Sequence, residues 1–89
     1  MTTPGEFNAG GTIIGVTDTT AARTITLSTF DNKEGNIIMV KDESGGAGTN
    51  NITVATEGTE TVDGATSKVI NLNYGVLRFY SNGTNWFTF

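Results

Sequence analysis

The chain has 89 residues, a net charge of −4, one proline, and neither cysteine nor histidine. That excludes imidazole bases, Ser-His-Asp and Cys-His couples, thiolate nucleophiles, Cys/His zinc sites, iron–sulfur ligation and disulfides. Thr, Asn, Gly and Ser make up 42 of the 89 residues and Ile, Val, Phe and Leu only 21, so the core is small and self-association is an obvious further source of stability.

Along the chain, apolar residues recur with period two rather than 3.6. Residues 1–11 hold Pro4, three glycines and a lone Phe7, and read as a flexible arm, either frayed or docking Phe7 on a neighbour. Residues 12–89 read as one all-β domain. Thr12–Val16 is a β-branched strand. Arg23–Leu27 alternates, with Ile25 and Leu27 on one face and Thr24 and Thr26 on the other. Asn36–Lys41 is apolar on both faces, as a strand buried from two sides would be. Asn51–Ala55, Lys68–Leu72, Val76–Tyr80 and Trp86–Phe89 complete the set. Gly35 closes a turn that favours positive φ, Asp63-Gly64 suits a type I′ turn, and Asn82-Gly83 sits between two aromatic runs as a hairpin signal. The expected fold is a small antiparallel β-sandwich or barrel of about 6–8 short strands. The triplet Gly-Thr-Asn precedes an apolar-Thr-apolar run twice, at Gly48 and at Gly83, which predicts one turn-into-strand solution used twice.

Several apparent motifs dissolve on inspection. Asp42–Asn50 is glycine-rich, but no lysine follows its glycines and Asp42 and Glu43 would repel phosphate. Its acidic and amide residues lack the alternating register of a calcium loop, and no metal or cofactor is expected. A carboxylate-pair hydrolase needs a cleft that so short a chain has little room to form. Five scattered Lys and Arg argue against nucleic-acid binding. No apolar run exceeds five residues, so no membrane-spanning segment is expected, and Met1–Glu6 lacks the pattern of a secretory signal. Asn51-Ile-Thr53 and Asn82-Gly-Thr84 match the glycosylation triplet by composition alone. The aromatic end differs: alternation sends Trp86 one way and Phe87 and Phe89 the other. One face then belongs to the core, and the other offers a subunit interface or ligand platform.

From Ile38 onward the chain resembles a module of tailed-phage virion proteins, found in head decoration proteins, head fibres and tail-fibre or spike domains. The resemblance is carried by Asp42–Val54, Val62-Asp-Gly64, Ile70–Gly75 and Phe79–Trp86, in that order. It implies a β-structured, often trimeric, non-enzymatic virion component and carries over no catalytic residue. The expectation is therefore a capsid decoration or cement protein, assembling with itself as a homotrimer and with the major capsid protein. Candidate contact residues are Phe7, Tyr80, Trp86, Phe87 and Phe89. The alternative is a fibre, spike or knob tip recognising host-surface glycan through Trp86, Tyr80 and the Asn-rich loops.

Overall fold

The computed structural model describes residues 12–89. Seven strands form: β1 (Thr12–Val16), β2 (Arg23–Leu27), β3 (Ile37–Asp42), β4 (Ile52–Thr56), β5 (Ser67–Ile70), β6 (Val76–Ser81) and β7 (Trp86–Thr88). A single 3₁₀ turn, Thr29–Asp31, is capped by the Ser28 hydroxyl accepting from the Phe30 N–H. The strands make a four-stranded sheet in the order β1-β3-β6-β7 and a three-stranded sheet in the order β2-β4-β5. All-β architecture, strand number and most strand limits follow the alternation in the sequence.

The direction of pairing is mixed rather than wholly antiparallel. β1 runs parallel to β3, with Thr12 beside Ile38, and β2 runs parallel to β4, with Arg23 beside Ile52. The remaining ladders, β3–β6, β4–β5 and β6–β7, are antiparallel. A parallel neighbour needs a crossover. Here each crossover is a strand of the opposite sheet, so the chain winds β1, β2, β3, β4 through both sheets in turn. The Asp31–Gly35 turn is therefore a corner between sheets. Its Gly35 does take the expected left-handed conformation (φ +85°).

Asp63-Gly64 forms the expected type I′ turn, with positive φ at both residues (51° and 82°). Val62 and Ala65 close it by exchanging N–H···O bonds of 2.7 and 2.9 Å. The two Gly-Thr-Asn segments diverge instead. At Gly48 the loop closes through the Thr49 and Asn50 N–H groups on the Gly46 carbonyl. At Gly83 it closes through the Asn82 side chain, with φ +94° at the glycine.

Leu27, Val40, Ile52, Val54, Phe79 and Trp86 meet between the sheets and are fully or almost fully buried. Leu27 on one sheet and Val40 and Phe79 on the other follow the inward positions of the alternation. β3 departs from its expected burial from two sides. Ile38, Val40 and Asp42 are buried, whereas Ile37, Met39 and Lys41 on the other face are only half-buried, because no second layer covers them among the described residues.

Trp86 is the only tryptophan and is fully buried, with its indole N–H unpaired. Its fluorescence should be blue-shifted and resistant to ionic quenchers in the native state. Trp86→Ala should cost about 3–5 kcal/mol in urea unfolding. Trp86→Phe should cost clearly less, since it also removes an unsatisfied donor. A red-shifted, readily quenched native emission would contradict this packing.

Candidate assembly face

The outward side chains of the four-stranded sheet line up in rungs set by strand register. One rung places Ile37 beside Tyr80 and Tyr80 beside Phe87. The next places Ile13 beside Met39 and Met39 beside Arg78. The Phe89 N–H donates to the Arg78 carbonyl, which extends this rung to the aromatic end. The third runs from Gly15 through Lys41 to Val76. A methyl group on Gly15 would collide with the Glu43 carboxylate, so that side chain rests over the glycine.

These rungs make an apolar surface with a few charges set into it. Ile13 is 56% exposed, Phe89 54%, Val76 49% and Tyr80 39%. The Tyr80 ring stacks on Phe87 at 5.5 Å between centroids and meets Phe89 edge-on at 5.8 Å. The Arg78 guanidinium lies 5.2 Å from the Phe89 ring centre while its Nε donates to the Phe89 carbonyl at 3.0 Å. At this aromatic end the side chains hold one another, so that part of the surface is pre-ordered and loses little rotamer freedom on contact. Lys41 donates to the Tyr74 carbonyl at the opposite margin.

The outer face of the three-stranded sheet is chemically different. Its rungs are Thr24, Thr53 and Val69, then Thr26, Ala55 and Ser67. Short hydroxylated side chains suit permanent contact with water. The face of the four-stranded sheet instead presents apolar and aromatic side chains side by side. The two outer faces of the sandwich therefore differ in chemistry.

The site residues expected from sequence separate as follows. Tyr80, Phe87 and Phe89 come together on this face. Trp86 does not, and its assignment as a contact is corrected: it alternates inward beside Ser81 and its side chain is 0% exposed. Phe7 lies outside the described residues. Ile13, Ile37, Met39, Val76 and Arg78 join the face without having been singled out. For Ile37 and Met39 the signal was the second apolar face of β3; Ile13, Val76 and Arg78 join them only through strand register.

The Asp42–Asn50 loop serves the fold. Asp42 Oδ1 accepts from the Ser44 N–H and hydroxyl and from the Gly45 N–H, at 2.8–3.0 Å. Its Oδ2 accepts from the Ala47 and Tyr74 N–H groups at 3.0 Å. Neither oxygen is turned outward to a ligand. Ser44 also bonds to the Thr19 hydroxyl, and Asn50 Nδ2 donates to the Thr19 carbonyl at 2.8 Å, which ties in the β1–β2 crossover.

Two concavities are also present, the first sharing Val76 with the outer face of the four-stranded sheet. A groove of about 190 Å³ is lined by Val69, Ile70, Leu72, Val76 and Leu77 and the main chain between them. A polar pocket of about 380 Å³ is lined by Thr29, Asn32, Thr59, Glu60, Thr84 and Asn85. Glu60 is largely buried there, and its Oε2 has no hydrogen-bond partner. Its own backbone N–H and the Thr29 hydroxyl hold its carboxyl below the usual range. Among the described residues, no group of three His, Cys, Asp or Glu is placed to hold a metal ion.

In comparisons with known proteins, the chain matches no family model, no curated protein and no solved structure.

Burial works to raise the Asp42 carboxyl, but the bonds from Ala47, Ser44, Tyr74 and Gly45 outweigh it and hold the group well below the ordinary carboxylate range. A carboxyl whose pKa is lower folded than unfolded stabilises the fold above its unfolded value, about 4, and that stability is lost as pH falls toward the folded value. Urea midpoints should therefore hold near neutrality and drop below about pH 4. Asp42→Asn should be less stable at neutral pH, because its amide nitrogen cannot accept from Ala47 or Tyr74, and its acid slope should be shallower. An unchanged slope would assign the acid lability elsewhere, for instance to Asp63, which the Thr88 hydroxyl also holds low.

Proposed function

We propose that the protein is a non-enzymatic virion structural component, a capsid decoration or cement protein. It binds the head exterior as a homotrimer and stabilises the shell. The carrying observation is the pre-ordered apolar outer face of the four-stranded sheet, set against the hydroxylated face opposite. The ordered resemblance of Asp42–Val54 and Phe79–Trp86 to phage virion modules supports the virion setting. Burying such a face contributes roughly 25 cal/mol per Å² of apolar surface, stabilising the small domain and whatever it covers. Arg78, Lys41 and the Glu43 carboxylate over Gly15 set charges of both signs into the face, which suits an apolar partner surface with polar groups at its edge.

A second reading, a tip module that binds host-surface glycan, is favoured by the polar pocket beside the Asn82–Asn85 turn. Asn, Thr and Glu side chains there offer hydrogen bonds to sugar hydroxyls, although buried Trp86 is not available to stack on a ring.

Copy number per purified particle, measured by quantitative mass spectrometry against the major capsid protein, separates these readings. A ratio on the order of one, or one trimer per capsomer, is expected for decoration. A handful of copies with a positive glycan array would favour the tip module, and absence from the particle would retire both. The paired substitution Tyr80→Lys with Phe89→Lys should leave the monomer folded, within about 1 kcal/mol of wild type, while abolishing binding to decoration-free heads. Thr24→Lys on the opposite face should leave binding unchanged.

A further inference from the structure

We infer that Asn82 is the chain's deamidation site and that the closed end of the β6–β7 hairpin restrains the reaction. The chain has nine asparagines, and only Asn82 precedes a glycine. Each of the others is followed by a residue whose Cβ crowds the next backbone nitrogen. Deamidation begins when the Gly83 nitrogen, having lost its proton to solvent base, attacks Asn82 Cγ. A C–N bond forms, the side-chain nitrogen leaves as ammonia, and a five-membered succinimide remains. Water opens that ring at one carbonyl to give aspartate. Opening at the other gives isoaspartate, whose main chain runs through the former side chain.

In the folded hairpin both reacting groups are held. The Gly83 N–H donates to the Ser81 hydroxyl at 2.9 Å, and Ser81 is buried and donates in turn to Asn32 Oδ1 at 2.5 Å. Asn82 Oδ1 accepts from the Thr84 and Asn85 N–H groups at 3.0 and 2.9 Å, while the Asn82 N–H donates to the Asn85 carbonyl at 3.1 Å. Ring closure requires the nucleophile to leave Ser81 and the side-chain carbonyl to leave its two donors. The labile step therefore runs through a locally opened hairpin.

The two products differ in consequence. Aspartate keeps an acceptor oxygen for Thr84 and Asn85. Isoaspartate lengthens the main chain inside a turn that fixes Ser81 beside Trp86 and Tyr80 beside Phe87. Accumulated isoaspartate would slide Phe87 and Phe89 past Tyr80, so the aromatic face would age at one peptide bond. This chemistry is independent of what the face binds.

The test incubates the full chain in mildly alkaline buffer, native and in concentrated urea, and follows the one-dalton mass gain by peptide mapping. The first modification should fall on Asn82 in both, slower in the native protein by roughly tenfold or more, as expected for a reaction gated by local opening. Ser81→Ala should speed the native reaction and leave the urea rate alone. Ile52→Val, a mild core truncation far from the turn, controls for general loosening and should leave the native rate close to wild type. Equal native and urea rates, earlier reaction at another asparagine, or acceleration by Ile52→Val as great as by Ser81→Ala would overturn the inference.

Discussion

The carboxylate of Asp42 is the constraint on which the rest of the molecule depends. Five donors from four residues converge on it from the loop after β3 and from the turn before β6. A single buried anion thus sets where the chain leaves one sheet, how the glycine-rich loop folds back, and where the returning strand enters. Tyr74, one of its partners, adopts a positive φ of 61° there, a conformation that needs such support in a residue with a side chain. Loss of those bonds would leave the buried Ala47 N–H and three partly buried donor sites without their partner at once, which is costlier than losing any single contact. The Gly-rich composition of the loop follows from this convergence, because Gly45 and Gly46 lie hard against the Tyr74 ring and Thr19, respectively.

Around that anchor, the winding of β1 to β4 through both sheets explains how so few apolar residues suffice. Each of the four strands contributes one inward row, and the two sheets share a core no thicker than one side chain from each side. The same alternation has the opposite result outside. On one sheet it exposes threonines, and on the other it exposes the isoleucine, methionine and aromatic rows that the inner core does not use. That a chain with a scarce apolar stock places several such residues outward is the observation on which the proposed assembly role rests.

Much of this was legible in the amino-acid order, and what was not has identifiable causes. Strict alternation at Arg23–Leu27 and the Asp63-Gly64 pair specify local geometry, and the structure follows both. Strand direction is a long-range property. A turn such as Asp31–Gly35 has the same residues whether it folds a hairpin or carries the chain to the other sheet. Trp86 illustrates the limit for the site. Alternation separated it from Phe87 and Phe89, but which side faced the core depended on its neighbours Ser81 and Val62, which no local pattern names. The inventory of the contact face was incomplete for the same reason. Ile13, Met39 and Arg78 are distant in sequence and become one rung only through the β1–β3 and β3–β6 registers.

The winding also bears on how the protein comes to exist on a ribosome. The first sheet takes its strands from widely separated segments, with β1 and β3 within residues 12–42 and β6 and β7 within residues 76–88. While those last residues remain in the exit tunnel, β3 has one edge unpaired and its apolar rows uncovered on both sides. The four-stranded sheet therefore closes only once β6 and β7 have emerged, through contacts between distant segments, and it does so slowly for its size. Until then the nascent chain exposes a sticky strand edge, so crowded synthesis would favour pairing between sister chains before each has closed on itself.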